Sequence, residues 1–344
     1  MPYINGRIVN TLNDDFYKYL PYCTKDVYGQ PYLEFYGPDK GRLTPMCPYT
    51  EFWQDKVAEL VERIGKELGA NAVYIDQLAA SIPKLCFDKS HGHPLGGGSW
   101  WVDGYRKMLE KVRKVAHSDG RDIIITSEMA AEHYIDLVDA FLICVKRDGK
   151  SIPMSPAVYS GYSIYFGSPA PLEYSDRAWI MVQGRDFLWG CQNGWMGFEI
   201  LLPEHSKKAA FLRKIGQYRI AAKKFITYGE LVDTIAHHQV VTEYWSDRNG
   251  NPYSVTLPVI QGSVWKGPNG SLSILLVNYL EREESIDLEI DLESYGLKTR
   301  TNAYQVSQIH PDNTQVKSVI NEAVFRYTEV MGPWEICVLE INMY

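Results

Sequence analysis

The sequence lacks the features by which nucleic-acid-binding and membrane proteins are usually recognised. Lys and Arg number 35 against 42 Asp and Glu, the formal net charge is −7, and no basic cluster stands out. A nucleic-acid partner is therefore not expected. No apolar run approaches the ~18 residues of a membrane helix, and MPYINGRIV has no basic start followed by a long apolar core. The sequence predicts a soluble protein with no signal peptide in these residues and no membrane partner, and it leaves the localisation unknown.

Motifs for metals, cofactors and serine hydrolases are equally scarce. The six cysteines form no CxxC pair, so neither a zinc site nor a dense disulfide framework is predicted. Cys144 and Cys191 lie in apolar runs and are expected to be buried thiols, whereas pairing among Cys23, Cys47 and Cys86 stays open. Neither a GxGxxG turn nor a GxSxG elbow occurs, which argues against a dinucleotide cofactor and a serine triad. No cofactor is expected.

Aromatic residues, by contrast, are abundant. The chain has 24 Tyr and 9 Trp, and many of them fall in predicted loops. Rigid aromatic faces suit the apolar faces of sugar rings, although packing in the core and at its rim accounts for most such residues. The aromatic content is therefore compatible with a carbohydrate ligand but does not by itself require one.

Up to about residue 235 the chain alternates strand-like and helix-like segments. The strand-like segments are PYINGRI, NAVYIDQ, DIIITSE, DAFLICV, AVYSGY and DFLWGCQ. The clearest helix has apolar residues at three- and four-residue steps from Trp53 to Leu68, between a capping Thr50 and a closing Gly69. This alternation predicts a parallel sheet. Because long loops follow the strands and short ones precede them, we expect a TIM-type (β/α)8 barrel with its working face at the carboxyl ends of the strands.

The remainder of the chain has a different pattern. Period-two segments such as SLSILLVNY and SIDLEIDL are separated by the turn dipeptides Asn249-Gly250, Asn269-Gly270 and Gly332-Pro333. This pattern predicts an antiparallel β-sandwich. The expected organisation is a barrel domain at 1–235 followed by a β-sandwich domain at 236–344.

Two neighbouring predicted strands end in a carboxylate, Asp76 in NAVYIDQ and Glu128 in DIIITSE. In a parallel sheet both would project at the same edge, and adjacent strands lie ~4.8 Å apart. A retaining glycosidase needs two carboxyl groups ~5–5.5 Å apart, one as nucleophile and one as acid/base, whereas an inverting enzyme needs room for a water. Ordinary solvation of strand ends gives the same pattern, so the spacing alone leaves both interpretations open.

A family resemblance rests on four segments of the sequence: YIDQ, CFDKSHGHPLGGGSWW, TSEMAAEHYID and CQNGWMG. Together they resemble a bacterial family of uncharacterised proteins with glycoside-hydrolase-type TIM barrels, and the resemblance covers most of the chain. An Asp after the fourth barrel strand and a Glu after the fifth is also the arrangement in alpha-amylase-like and endo-alpha-N-acetylgalactosaminidase-like enzymes. The resemblance implies that Asp76 is the nucleophile and Glu128 the acid/base.

The same resemblance leaves the barrel short of strands. If Asp76 ends the fourth strand, PYINGRI is the third, and the first two have no counterpart in these residues. We therefore expect about six of the eight barrel strands and the C-terminal part of a longer polypeptide. An open edge exposes unpaired backbone groups. Self-association through that edge is therefore expected, unless the Asn10–Tyr49 loop or the β-sandwich covers it.

Further residues are expected to contact sugar, because polar side chains at or just past strand ends and aromatic residues in loops suit sugar hydroxyls and ring faces. They are Asn5, Gln77, His91, His93, Trp100, Trp101, His133, Tyr162, Trp189, Asn193 and Trp195. His91 and His93 in SHGHP are also candidates for a metal pair. Because such a pair in a Gly-rich loop is more often a substrate or loop contact, no metal is predicted.

Residues and resemblance together predict a retaining glycoside hydrolase that acts on an α-linked oligosaccharide or glycan. The alternative is a non-catalytic carbohydrate-binding barrel, or an inactive fragment of a longer glycosidase. The separation of the Asp76 and Glu128 carboxyl groups distinguishes these interpretations, together with the openness of the pocket around them. The sequence names neither the sugar nor its linkage.

Overall fold

The computed structural model describes residues 1–36, 41–80, 82–144, 151–168, 170–246, 250–298 and 303–343. They fall into two compact units, Met1–Leu142 and Ile143–Tyr344. Within the described ranges, no helix is both long enough and apolar enough to cross a membrane.

The described residues of the first unit form seven strands and three α-helices. The strands are β1 (Tyr3–Asn5), β2 (Ile8–Asn10), β3 (Glu34–Tyr36), β4 (Gly41–Pro45), β5 (Ala72–Asp76), β6 (Ile124–Glu128) and β7 (Ala140–Ile143), whose last residue begins the second unit. The helices are α1 (Phe16–Tyr19), α2 (Glu51–Leu68) and α3 (Trp100–Ala116). Short 3-10 turns lie at Leu20–Tyr22, Lys89–His91 and Glu132–Tyr134.

Four of these strands form a parallel sheet in the order β1-β5-β6-β7. The alternate residues Val73, Ile75 and Ile125 are fully buried, as expected when helices cover one face of a parallel sheet. The loop from β5 to α3 is long, whereas the connections from α2 to β5 and from α3 to β6 are short. The predicted asymmetry of the loops is therefore present, and it places the long loop at the carboxyl end of β5.

Helix α2 has the predicted limits, since it begins after Thr50 and ends at Gly69, whose φ of 60° is left-handed. The predicted capping role of Thr50 is wrong in detail. Its hydroxyl donates to the carbonyl of Cys47 at 2.9 Å and accepts no helix amide. The side chain therefore ties the start of α2 to the segment that precedes it.

Three predicted segments differ in the structure. The stretch expected to be a loop from Asn10 to Tyr49 contains β3 and β4, which form with the preceding β2 an antiparallel sheet in the order β2-β4-β3. AVYSGY begins in a short helix, and the strand follows it at IYFG, Ile164–Gly167. In DFLWGCQ the first three residues end a long buried helix, and only the last belongs to a strand. Of the turn dipeptides, Asn249 lies outside the described residues.

The second unit opens with α4 (Met154–Val158), β8 (Ile164–Gly167), α5 (Asp176–Leu188), β9 (Gln192–Asn193), α6 (Ser206–Ala221) and α7 (Lys223–Ile226). Strands β8 and β9 pair in parallel. The antiparallel strands follow: β10 (Glu230–Ala236), β11 (Val240–Ser246), β12 (Pro252–Pro258), β13 (Ile260–Lys266), β14 (Leu272–Asn278), β15 (Glu284–Asp291), β16 (Tyr304–Ile309), β17 (Thr314–Ile320), β18 (Val324–Met331) and β19 (Ile336–Met343).

The antiparallel strands form the predicted β-sandwich. A six-stranded sheet in the order β10-β13-β14-β19-β16-β17 is accompanied by the pairs β11-β12 and β15-β18. Ile286 of β15 and Phe325 of β18 are buried in one apolar cluster with Val264, Leu276 and Leu339 of the large sheet. Two layers therefore share a core, as the period-two pattern requires.

Candidate active site

The site begins at the carboxyl ends of three adjacent parallel strands. Asn5, Asp76 and Glu128 are the last residues of β1, β5 and β6. Asn5 lies opposite Asp76, and Ile75 lies opposite Ser127, so Asp76 and Glu128 occupy equivalent positions on neighbouring strands. Because side chains alternate along a strand, these three residues project on one face of the sheet.

The carboxylate of Asp76 is held by three donors. The Tyr3 hydroxyl donates to Oδ2 at 2.7 Å, and Asn5 Nδ2 donates to the same oxygen at 3.1 Å. The Tyr74 hydroxyl, two residues before Asp76 on the same strand, donates to Oδ1 at 3.3 Å. Three donors fix the orientation of this carboxyl group.

The pKa of Tyr3 is affected by Glu128 as well as by Asp76. Partial burial and the hydrogen bond to Asp76 raise the pKa of Tyr3 to about 12, and the negative charge of Glu128 acts in the same direction. The phenol therefore keeps its proton through the physiological range and remains a donor to Asp76. Both carboxylates lie close enough to this hydroxyl to influence its ionisation.

A cavity of about 800 Å³ opens beside the strand ends. It is lined by Arg7, Leu33, Glu34, Phe35, Tyr36, Gln77, Ala80, Ile82, Lys84, Glu128 and Met129. A volume of this size falls within the range of small-molecule sites. The lining combines the strand-end acid Glu128 with aromatic and charged side chains, which is a surface suited to a polar ligand.

An ion pair organises the wall of this cavity. Arg7 is only 2% exposed, and its guanidinium donates to both oxygens of Glu34 at 2.7 Å. Lys84 lies 3.0 Å from Glu34, and the Tyr36 hydroxyl donates to it at 2.9 Å. Hydrogen bonding from Arg7, opposed by burial and helped by Lys84, lowers the pKa of Glu34 to about 2.

The residue after each strand-end acid has an unfavourable backbone. Gln77 has a φ of 59° and Met129 a φ of 61°, and neither is glycine. A left-handed conformation costs an ordinary residue roughly 1–2 kcal/mol, and such strain concentrates at functional sites. The chain therefore turns sharply just after Asp76 and just after Glu128, beside the cavity that both turns line.

A larger cavity, of about 990 Å³, lies elsewhere in the first unit, between residues of α2, α3 and the preceding loops such as Phe52, Lys107 and Tyr22. It contains neither strand-end carboxylate. Catalytic residues of barrel enzymes come from the carboxyl ends of the strands. We therefore take the smaller cavity as the candidate active site.

Four predicted sugar contacts lie inside the protein instead. His91, His93, Trp100 and Trp101 are all buried. The rings of His93 and Trp100 stack with centroids 3.7 Å apart, and Trp101 packs edge-on against Tyr105. A sugar platform needs an exposed aromatic face. His91 and His93 instead lie inside the loop from β5 to α3, and Trp100 and Trp101 are buried in the first turn of α3. This burial does not support the predicted contact of these four residues with sugar.

The two buried histidines lie beside two buried cysteines. Potential ligand atoms of Cys47, Cys86, His91 and His93 all lie within 4.8 Å of one another. The sequence favours substrate or loop contacts over a metal for the histidines, and the cysteine spacing predicts no zinc site. The pairing that the sequence left open among Cys23, Cys47 and Cys86 is absent here, because all three are free thiols.

The other predicted contacts occupy varied environments. His133 is exposed in a 3-10 turn of the first unit. In the second unit, Tyr162 is 84% exposed and Trp195 is exposed, so either offers a ring face to solvent, whereas Trp189 is buried. The Asn193 amide donates to the main chain and side chain of Gln183 at 2.9 Å, which is a structural role.

Sequence reasoning missed several residues of the site. Tyr3, Arg7 and Glu34 were not singled out, although Tyr3 lies two positions before Asn5 and shares its face of β1. That alternation was a usable signal for Tyr3. Nothing local connects Arg7 with Glu34, which lies in a segment that the sequence presented as a loop.

Residues 1–169 match a protein family described as "Domain of unknown function (DUF6259)". A Bacteroides thetaiotaomicron protein named "Putative glycoside hydrolase" is 30% identical over 296 residues, which cover 83% of this chain and 43% of that protein. A second protein of that printed description, from Monosiga brevicollis, is 22% identical over 380 residues, with coverages of 99% and 31%. The predicted resemblance to an uncharacterised family of glycoside-hydrolase type is confirmed. The chain spans less than half the length of these curated relatives.

Solved structures agree on the fold. A maltogenic alpha-amylase from Thermotoga neapolitana superposes with a TM-score of 0.58 at 14% identity, covering 99% of this chain and 77% of that one. An alpha-N-acetylgalactosaminidase from Bifidobacterium bifidum gives a TM-score of 0.52 at 15% identity, with coverages of 80% and 40%. The predicted fold class, a TIM-type barrel architecture followed by antiparallel β-structure, is confirmed.

Proposed function

We propose that the chain carries the catalytic centre of a retaining glycoside hydrolase acting on an α-linked oligosaccharide or glycan. The observation that carries the proposal is the equivalent placement of Asp76 and Glu128 at the ends of the adjacent parallel strands β5 and β6. Adjacent strands are ~4.8 Å apart, which suits the ~5–5.5 Å between the carboxyl groups of a retaining enzyme better than the wider inverting arrangement.

In this mechanism Asp76 is the nucleophile. A carboxylate oxygen attacks the anomeric carbon while Glu128 gives its proton to the departing glycosidic oxygen, and a glycosyl ester on Asp76 results. Glu128, now ionised, then takes a proton from water, the hydroxide attacks the anomeric carbon, and the Asp76 carboxylate is released. The sugar product keeps its anomeric configuration because the carbon is inverted twice.

The hydrogen bonds of Asp76 support its assignment as the nucleophile. Tyr3, Asn5 and Tyr74 aim three donors at its carboxylate, which orients the group for attack. Glu128 lines the cavity directly, where a proton donor has access to a leaving group. Gln77 and Lys84, at the wall of the same cavity, are suited to hydrogen-bond sugar hydroxyls.

The α-linkage and the carbohydrate class rest on relatives. The curated relatives bear glycoside hydrolase names, and two of the superposed structures are named as an alpha-amylase and an alpha-N-acetylgalactosaminidase. Aryl α-glycosides of glucose, galactose and N-acetylgalactosamine are therefore the first substrates to test, with the corresponding β-glycosides as comparison.

The test uses Asp76→Ala and Glu128→Ala variants assayed with and without azide. We expect each to lose activity, by about 10²–10⁴-fold for loss of acid/base catalysis at Glu128. Azide should restore turnover in both, giving a glycosyl azide of inverted configuration with Asp76→Ala and of retained configuration with Glu128→Ala. Asp122→Asn and Glu67→Gln, which change exposed carboxylates away from the cavity, serve as controls.

The product configurations decide the assignment. Exchanged configurations would reverse the two roles, and full activity in either alanine variant would contradict the proposal. Saturable glycan binding by a chain that hydrolyses no member of the panel would instead support the alternative, a non-catalytic carbohydrate-binding barrel.

A further inference from the structure

The buried cluster of Cys47, Cys86, His91 and His93 is separate from the proposed glycosidase chemistry. None of the four lines the candidate active-site cavity. Two thiols and two imidazoles offer one ligand atom each within 4.8 Å of one another. This is the donor set of a structural zinc site, which is closed and four-coordinate.

The hydrogen bonds of the histidines fix which nitrogen is available. His91 Nε2 lies 2.9 Å from the carbonyl oxygen of Pro21, to which it must donate, so its Nδ1 carries the lone pair. That Nδ1 lies 3.4 Å from Cys86 Sγ. Asp88 lies 3.6 Å from His91 Nε2 on the same side as the carbonyl. Metal-bound histidines commonly donate their other ring N–H to a carbonyl or carboxylate in this way.

His93 shows the complementary arrangement. Its Nδ1 donates to the carbonyl oxygen of Pro94 at 2.8 Å, so its Nε2 carries the lone pair. The residue is 7% exposed, and among the described residues Nε2 has no hydrogen-bond partner. A buried acceptor without a donor costs about 1–3 kcal/mol. A bound cation would remove that cost.

Distances and charge both favour a metal. Zinc bonds of ~2.3 Å to sulfur and ~2.0–2.1 Å to nitrogen, at tetrahedral angles, separate the ligand atoms by roughly 3.3–3.8 Å. The contact between His91 Nδ1 and Cys86 Sγ is already 3.4 Å. Two thiolates and two neutral imidazoles would balance the charge of one divalent cation, so the buried site would carry no net charge.

From this geometry we propose that Cys47, Cys86, His91 and His93 bind a structural Zn²⁺. The metal would join the loop from β5 to α3, which carries three of the ligands, to the segment before α2, which carries Cys47. Main-chain hydrogen bonds between Cys86 and Gly96 close the part of the loop that holds both histidines. The same loop supplies Ala80, Ile82 and Lys84 to the active-site cavity.

The first experiment measures metal in the untagged protein, purified without chelator, by mass spectrometry. We expect about one zinc per chain, together with a fall in melting temperature after chelation and a recovery with added Zn²⁺. Replacement by Co²⁺ should give thiolate-to-cobalt charge-transfer bands and the intense visible bands of a tetrahedral site.

Two variants and one control assign the ligands. Cys86→Ser removes a thiolate, and His93→Phe removes both nitrogens while keeping a ring to stack on Trp100. Both should lose stoichiometric zinc. Cys23→Ala changes a buried thiol outside the cluster and should retain it.

The wild-type protein decides the proposal even if a variant fails to fold. Zinc well below one per chain after reconstitution would overturn it, as would cobalt spectra without thiolate bands or a disulfide joining Cys47 and Cys86. Because the readouts are metal content, spectra and melting, the result is independent of any glycosidase activity.

Discussion

At the scale of single residues, the charge of Glu34 supports the wall of the candidate site. Arg7 is buried, and its two terminal guanidinium nitrogens each donate to one Glu34 oxygen. Breaking a buried pair by removing one partner costs about 3–5 kcal/mol, because the remaining charge is left uncompensated. The ion pair therefore couples the β3 strand to the segment that follows β1.

The first prediction concerns Glu34→Gln and pH. Folding lowers the pKa of Glu34 to about 2, which at ~1.4 kcal/mol per pH unit corresponds to an upper limit of roughly 3.5 kcal/mol. Solvent screening of this partly exposed carboxylate reduces the contribution to about 1–2 kcal/mol. Because the folded pKa is the lower one, this stabilisation is complete above about pH 5 and is lost as the pH falls towards 2. Urea unfolding of the wild-type protein and of Glu34→Gln should show the variant with the lower free energy of unfolding at pH 7. That difference in free energy should shrink as the pH is lowered to 3.

The matched control is Glu67→Gln, which changes an exposed i,i+4 partner of Arg63 on α2. It should alter the free energy of unfolding little at any pH, since exposed pairs contribute little. A Glu34→Gln penalty that stays constant across the pH range would show that the ion pair is not its source.

At the scale of secondary-structure elements, α3 approaches the start of α2 unusually closely. A Cβ placed on Gly104 would lie 2.7–2.9 Å from the main chain of Pro48 and Tyr49. Main chain cannot move aside as a side-chain tip can. Because α3 packs so closely against Pro48 and Tyr49, it fixes the position of the segment that also carries Cys47.

Gly104→Ala is therefore expected to destabilise the protein, although alanine is the better helix former by ~1 kcal/mol. Overpacking typically costs about 1–3 kcal/mol. Gly216→Ala on α6 meets nothing within 4 Å and should stabilise by up to ~1 kcal/mol. Denaturant unfolding should show that the free energy of unfolding falls in Gly104→Ala and rises in Gly216→Ala. An equal rise in both variants would contradict the close contact at Gly104.

At the scale of the whole molecule, β1 lies at one end of the strand order of the parallel sheet. Within the described residues, β1 pairs in parallel with β5 on one side, and Tyr3 is 61% exposed. Exposed strand edges act as templates for pairing with another chain. Self-association, expected from the sequence, remains a prediction.

We expect sedimentation velocity to show concentration-dependent association of this chain. Tyr3→Lys places a charge at the edge strand and should shift the distribution towards monomer. Tyr228→Lys, at a residue that is 64% exposed in the second unit, should leave it unchanged. A wild-type chain that is monomeric at every concentration would refute association through β1.

The sequence by itself determined the features that depend on neighbouring residues. Local periodicity and end signals predict the limits of α2, the strand ends at Asp76 and Glu128, and the period-two sandwich. AVYSGY was misassigned because a short apolar run does not distinguish helix from strand. The predicted boundary between 235 and 236 stays a prediction.

Only the tertiary structure decided which distant side chains meet. Arg7 pairs with Glu34, which is 27 positions away in the sequence. Cys47 likewise meets Cys86, His91 and His93 in one cluster. Neither set of residues has the sequence spacing of a recognisable motif. Each depends on how a long loop folds back on the sheet. A chain encodes periodicity within a few residues, but contacts between loops form only when the core between them has packed.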